Sequence, residues 1–215
     1  MILMKNDLRT IPIVMASDNN YVPYMSVALA SIKEHASDKY NYEIYILSRE
    51  ISEINQKRLA NQFLNSDNFS VTIIDVNKYI NNLKLQISQY YSIEIYFRAL
   101  IPEILSSYSK AIYLDCDLVS VCDIAELWET DIGDAYLGAI RDVGMILHYY
   151  TSGRRYIPLE YFQDTLEGIC PDDYFNTGVL IMNLERFRKE LSFQRFVDKV
   201  QEKKWHFPDQ DVLNI

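Results

Sequence analysis

Apolar and polar positions along the chain fall into blocks that predict a repeated strand–helix order. Residues 11–16 (IPIVMA) form a short continuous apolar run, stopped by the polar cluster Ser17-Asp18-Asn19-Asn20, which suits a turn. From Tyr21 to His35 the apolar residues Val22, Met25, Val27, Ala28, Leu29 and Ile32 recur at a spacing closer to helix than to strand, and Pro23 fits a first turn. Residues 42–47 (YEIYIL) predict a second strand. Ser52 then starts a helix whose Ile54, Leu59, Phe63 and Leu64 share one face. Residues 69–75 (FSVTIID) predict a third strand. This β-α-β-α-β order places the chain in the α/β class, with a mainly parallel central sheet flanked by helices.

The second half continues the pattern less regularly. Residues 92–105 read as helical with an interruption at Pro102, and residues 110–114 (KAIYL) as a strand running directly into Asp115-Cys116-Asp117. Asp123 or Asp131 could each cap a short helix. Residues 135–140 (AYLGAI) predict another strand, followed by Arg141-Asp142. Residues 143–171, punctuated by Gly144, Gly153, Pro158, Gly168 and Pro171, read as loop and short helices. A strand over 177–183 precedes two helical stretches within 184–203. The break at Trp205-His206-Phe207-Pro208 leaves 209–215 as a helix start too short to stand alone.

Composition narrows the function classes. With 215 residues, 49% of them hydrophobic, and no linker or low-complexity tract, residues 1–215 read as one globular domain. A net charge of -9 argues against nucleic acid as partner, because phosphate-backbone affinity rests on clustered Lys and Arg. The pairs Arg154-Arg155 and Lys203-Lys204 read as solvated faces or a local anion contact. Three cysteines without paired spacing fit buried thiols in a reducing compartment. Residues 1–9 carry charge without an apolar core, and no run approaches the roughly 18 apolar residues that span a bilayer, so the expectation is a cytoplasmic protein. Seventeen tyrosines, densest at Tyr90-Tyr91 and Tyr149-Tyr150, supply apolar rings with polar tips for cores or sugar faces.

The candidate chemistry sits at Asp115-Cys116-Asp117. Two carboxylates at i and i+2 just past a strand end can point into the crevice where open α/β sheets bind ligands. Mg²⁺ or Mn²⁺ held there keeps coordination positions for diphosphate oxygens. Spacing alone decides little: 17 Asp placed at random give about one Asp-x-Asp, and two occur, at Asp115/Asp117 and Asp209/Asp211. The strand context of the first pair sets it apart. Two acids between apolar Ala111-Ile112-Tyr113-Leu114 and Leu118-Val119 are costly without a cation or partners, although a solvated turn remains an alternative.

Five stretches in order, IPIVMASDNNYVPYMSVALASI, IEIYFRALIPEIL, KAIYLDCDLVSVCDIAELWETDIGDAYLGAIRD, YFNTGVLIMNLERFR and FPDQDVLNI, resemble glycosyltransferase family 8 over nearly the whole chain. This is the family of retaining, UDP-sugar-dependent transferases that includes bacterial lipopolysaccharide galactosyl- and glucosyltransferases and the glycogenins. The resemblance implies a GT-A-type nucleotide-diphospho-sugar transferase fold. It implies uridine contacts at Ala16, Asp18 and Asn20, and metal ligation at Asp115 and Asp117, which also face the donor. It places donor-sugar contacts at Arg98, Asp142, Asn176, Asp209 and Gln210, with Gln210, Asp209 and Asp142 in the catalytic roles. By residue type alone, Asp18-Asn19-Asn20 are equally turn formers, and a lone Arg98 on a helix reads first as a surface charge or ion pair.

The resemblance further implies a hexose, galactose or glucose, moved from a UDP-sugar to a saccharide or glycolipid acceptor, with Mn²⁺ or Mg²⁺ on the diphosphate. Acceptor contacts are expected around 143–171, including Tyr149, Tyr150 and Arg154. Family members carry, beyond the PDQD stretch, a histidine that completes the metal site and a lysine on the diphosphate. His35, His148 and His206 match neither motif, so the chain reads as lacking its C-terminal part, whose family role includes peripheral contact with the inner face of the membrane. A catalytically impaired UDP-sugar-binding or assembly module is the competing reading. A nucleotidyltransferase is disfavoured by the missing glycine- and lysine-rich phosphate loop.

Overall fold

The computed structural model describes residues 9–81, 93–151 and 157–215. Ser92, Tyr90-Tyr91 and Arg154-Arg155 lie outside the described residues.

Six strands form one sheet in the order β3-β2-β1-β4-β6-β5. They are β1 (Arg9–Ala16), β2 (Tyr40–Ser48), β3 (Phe69–Asp75), β4 (Lys110–Leu114), β5 (Leu137–Arg141) and β6 (Phe175–Asn183). β1 pairs in parallel with β2 on one side and β4 on the other, and β2 with β3. The mainly parallel sheet expected from the sequence is present with one reversal: β6 runs antiparallel to both β4 and β5. Because it is reversed, β6 begins where β4 and β5 end, so one sheet edge collects three strand termini from distant parts of the chain. β1 is also where the strand order changes direction, the point at which open α/β sheets form a ligand crevice.

Alternation along the strands divides the core into two layers. Ile11, Ile13 and Met15 face one side with Ile44, Ile46, Ile112 and Leu114, under α1 (Val22–His35), α2 (Glu53–Asn61) and, after the four-residue α3 (Asn77–Ile80) and α4 (Ile101–Ile104), α5 (Ile124–Trp128). Val14, Ala16, Ala111, Tyr113, Leu180 and Met182 face the other, under a 3-10 helix (Ile93–Leu100), α4, α6 (Val143–Tyr150), α7 (Leu184–Glu190) and α8 (Phe193–Glu202). α8 shows why its sequence is helical there. Phe193, Phe196, Val197 and Val200 form one buried stripe, and the Ser192 hydroxyl accepts from the Arg195 N–H at 3.3 Å to cap the first turn. Burying each such side chain contributes about 1.5–3 kcal/mol.

Several local expectations are corrected. Pro102 does not interrupt a helix; it lies in the first turn of α4, where its missing N–H costs nothing. α2 ends at Asn61, so Ile54 and Leu64 do not share the face of Leu59 and Phe63 and are 65% and 72% exposed. Val27 on α1 is likewise exposed. Asp123, not Asp131, caps a helix: its carboxylate accepts from Ala125 N–H at 2.9 Å, whereas Asp131 closes a turn onto Gly133. Of the three cysteines only Cys116 is buried. Tyr149 packs on Phe162 at 5.1 Å, while Tyr150 is exposed and its hydroxyl donates to Asp172. Among the described residues no helix is long and apolar enough to cross a membrane.

Residues 208–214 do form a helix, α9 (Pro208–Asn214), despite their shortness. Tertiary contacts replace the missing helical length. Asp211, fully buried, accepts from the Tyr174 hydroxyl at 2.6 Å, the Phe207 N–H at 2.8 Å and the Tyr161 hydroxyl at 2.5 Å. The Asn214 side chain meets both backbone groups of Phe175, accepting from its N–H at 2.8 Å and donating to its carbonyl at 2.9 Å. α9 is thereby fastened to the first residue of β6.

Candidate active site

The three strand termini, the 3-10 helix Ile93–Leu100 and α9 bring Arg98, Asp115, Asp142, Asn176, Asp209 and Gln210 into one hydrogen-bonded group. Asp115 follows the last residue of β4, and its backbone N–H donates to the Gly178 carbonyl of β6 at 2.7 Å. A Cβ on Gly178 would lie 2.6 Å from Asp115 Oδ2 and 3.0 Å from Asn176 Oδ1. Glycine is therefore required here for close approach of two side chains, not for an unusual backbone conformation.

Arg98 is the charge at the centre. It is 5% exposed, and its guanidinium Cζ lies 4.6 Å over the Tyr113 ring. Nη1 donates to the Thr177 carbonyl at 2.6 Å and meets Asp209 Oδ2 at 3.2 Å, while Nη2 meets Asp115 Oδ1 at 3.3 Å. The surface reading of Arg98 fails on this burial. Burial disfavours its charge, but Tyr113, Asp209 and Asp115 outweigh it and hold the guanidinium above its usual range. Arg98 Nε is buried and has no hydrogen-bond partner among the described residues. Burial pushes the Asp209 carboxyl above the usual carboxylate range against the pull of Arg98.

Asp142 follows β5 and begins α6. Its Oδ1 accepts from the Met145 N–H at 3.0 Å, and its Oδ2 from Gln210 Nε2 at 2.9 Å and Asn176 Nδ2 at 3.4 Å. Gln210 Oε1 in turn accepts from the Thr177 N–H at 3.1 Å. Sequence reasoning missed Thr177 and Tyr113. Thr177 acts mainly through backbone atoms, which residue type does not announce. Tyr113, read as strand filler, donates its hydroxyl to Asp115 Oδ1 at 2.9 Å.

The remaining predicted residues lie on neighbouring loops. Ala16 ends β1, the Ser17 hydroxyl after it donates to the Asp18 carbonyl at 2.8 Å, and burial pushes the Cys116 thiol up to about 11. Asp18 is a turn former in fact: Oδ1 accepts from the N–H groups of Asn20 and Tyr21, both at 2.8 Å, at the entry to α1. Asn20 is exposed beside it. Asp117 is exposed, and its carboxylate has no hydrogen-bond partner among the described residues. No three His, Cys, Asp or Glu side chains gather closely enough among those residues to hold a metal ion. Asp209 and Asp211 repeat the Asp-x-Asp spacing without repeating its chemistry, since one faces Arg98 and the other a pair of tyrosines.

The model of Glycosyl transferase family 8 matches residues 12–215. The chain belongs to glycosyltransferase family 8. Among its relatives in that family, a putative glycosyltransferase of Haemophilus influenzae is 29% identical over 209 residues, which cover 96% of this chain and 59% of the relative. General stress protein A of Bacillus subtilis is 27% identical over 207 residues, covering 94% of this chain and 64% of that protein. The chain thus spans about three-fifths of the length of these two curated relatives. Among solved structures, the apo bifunctional glycosyltransferase WbbM superposes with a TM-score of 0.83 at 29% identity over 96% of this chain and 37% of its own. The galactosyltransferase LgtC, solved in complex with donor and acceptor sugar analogues, gives 0.72 at 28% identity over 95% of this chain and 69% of its own. The mixed α/β arrangement described above is the GT-A-type fold of these neighbours.

Proposed function

We propose that this chain is the donor-binding and catalytic part of a retaining transferase that moves a hexose, galactose or glucose, from a UDP-sugar to a saccharide or glycolipid acceptor. The observation that carries the reading is the convergence of Arg98, Asp115, Asp142, Asn176, Asp209 and Gln210 on one sheet edge, beside an Asp117 carboxylate left without a partner among the described residues. Ala16, Asp18 and Asn20 take the uridine end from the adjoining loop. The donor set fits a hard cation with few protein ligands: Tyr113 and Arg98 occupy Asp115 Oδ1, so Oδ2 and the Asp117 carboxylate are left to face an ion. Asp115 and Asp117 would hold Mn²⁺ or Mg²⁺ there, which would supply charge neutralisation of the leaving diphosphate.

The chain's own residues do the rest. Arg98 keeps Asp115 fixed and adds positive charge to a site that receives an anionic donor. Gln210 and Asp209 place oxygen atoms where positive charge develops at the sugar as the glycosidic bond breaks. An amide oxygen is a weak nucleophile, which favours attack of the acceptor hydroxyl on the face the diphosphate leaves, its proton passing to a diphosphate oxygen.

Asp117→Ala is expected to weaken Mn²⁺-dependent UDP binding at least tenfold by calorimetry while leaving the melting temperature within about 2 °C, as for other exposed positions. Unchanged UDP affinity would sink the metal assignment. Release of UDP from UDP-galactose or UDP-glucose, with and without acceptor, separates an enzyme from a binding module that cannot turn over. Gly178→Ala supplies a third check. Its methyl group collides with Asp115 Oδ2, so Mn²⁺-dependent UDP affinity should fall at least tenfold, and an unperturbed affinity would show that Asp115 Oδ2 faces no ion.

A further inference from the structure

The Gln210 side chain is held at both ends by groups that can bond it in only one orientation. Its Oε1 accepts from the Thr177 backbone N–H at 3.1 Å, a group that can only donate. Its Nε2 donates at 2.9 Å to Asp142 Oδ2, and an ionised carboxylate can only accept. The Tyr174 hydroxyl donates to Asp211 at 2.6 Å, so its proton is committed away from the Gln210 amide. Turning the amide over would set Nε2 against the Thr177 N–H and Oε1 against the Asp142 carboxylate, two repulsive contacts at a residue only 8% exposed.

The holders are themselves fixed. Asp142 Oδ1 accepts from the Met145 N–H at 3.0 Å, which ties it to the first turn of α6, and Asn176 Nδ2 donates to Oδ2 at 3.4 Å. The Thr177 carbonyl accepts from Arg98 Nη1 at 2.6 Å, and Asn214 Nδ2 donates to the Gln210 backbone carbonyl at 2.9 Å. Asp142 therefore has three donors on its two oxygens. That set describes a carboxylate used to hold other groups.

We infer that Asp142 and Thr177 are positioning residues that lock the Gln210 amide in a single flip, with its nitrogen turned to the Asp142 carboxylate and its carbonyl oxygen, one lone pair on the Thr177 N–H, facing the hexose of the donor with the other. The inference rests on the transferase reading for the identity of that ligand, and on the side-chain geometry alone for the lock. An acceptor-only contact suits a sugar centre that becomes positive in the transition state, whereas an amide N–H turned toward it would oppose that charge. Asp142 thereby changes from a candidate catalytic group to one that acts through Gln210.

The test is a reciprocal exchange. Asp142→Asn puts an amide hydrogen where Gln210 Nε2 already donates, and Gln210→Glu sets two carboxylates against each other. Each single variant is expected to lower the melting temperature by about 3–8 °C. In the double variant the amide introduced at position 142 can donate to the carboxylate introduced at position 210, which still accepts from the Thr177 N–H, so it should melt above Asp142→Asn alone. A double variant that melts at or below Asp142→Asn overturns the lock. Calorimetry with Mn²⁺ on Asp142→Asn then reads the positioning role: UDP affinity within about threefold of the parent and UDP-hexose affinity down at least tenfold. Equal losses for both ligands, or none for the UDP-hexose, overturn it. A parent chain that binds no UDP would defeat the transferase reading while leaving the melting-temperature comparison to decide the lock.

Discussion

Arg98→Met should lower the melting temperature by about 6–20 °C, the range that follows from losing about 3–5 kcal/mol when one partner of a buried ion pair is removed in a chain of this size. The cost lies in what the arginine leaves behind. Asp209 is 6% exposed and meets Arg98 Nη1 at 3.2 Å, while the Thr177 carbonyl depends on the same nitrogen at 2.6 Å. With methionine in place the aliphatic volume is largely kept, so a packing loss contributes little and the uncompensated carboxylate dominates. The Asp209 carboxyl, already raised by burial, loses the cation that opposes the rise. Adding Asp209→Asn to Arg98→Met removes the stranded charge and is expected to recover at least about a third of the lost melting temperature. Arg98→Lys should fall short of the parent, because one ammonium cannot serve Asp115, Asp209 and the Thr177 carbonyl as a planar fork does. If the double variant melts at the sum of the two single losses, ion pairing is not what Arg98 contributes.

The difference between this group and its sequence signature explains how far the chain could be read without a structure. The strands β1, β2 and β4 were legible as mostly apolar runs closed by polar residues, and the part-exposed edge strand β3 by the alternation of Phe69, Val71 and Ile73 with Ser70 and Thr72. The reversal of β6 was not, since an apolar run such as Thr177 to Asn183 gives the same pattern in either direction. Yet that reversal is what sets Asn176 and Thr177 against Asp115. Position in the chain likewise hid the cluster: Arg98 and Gln210 meet around Thr177 although 112 residues separate them in sequence. Only the resemblance to family 8 named most of its members together. Thr177 escaped because it contributes an N–H and a carbonyl, and Tyr113 because a tyrosine in a strand looks like core. The shortness of 208–214 misled in the opposite direction, since helix length governs isolated helices and α9 is held by side chains of other elements.

Asp211 shows what holds it, and Asp211→Ala should be the other severe loss, about 3–5 kcal/mol, by stranding the donors of Tyr161, Tyr174 and Phe207 in a fully buried place. Asp211→Asn should behave differently. Its oxygen can take the Tyr161 hydroxyl and the Phe207 N–H, while its amide N–H turns to Tyr174, whose hydroxyl can accept as well as donate. That variant should stay within about 1 kcal/mol of the parent near the pH where the parent's carboxyl is protonated. The two then diverge with pH in a fixed direction. Burial raises the Asp211 carboxyl above its usual range against the hydrogen bonds of Tyr161, Tyr174 and Phe207. The folded state therefore binds this proton more tightly than the unfolded chain, whose value is about 3.9. As pH rises from there through the raised folded value, the parent loses stability relative to Asp211→Asn, and above it the difference becomes constant. Urea unfolding of both proteins across that interval measures the difference directly. A difference that does not change with pH, or one that grows in the parent's favour, would mean that the three donors outweigh burial and that Asp211 is held as a stabilised carboxylate.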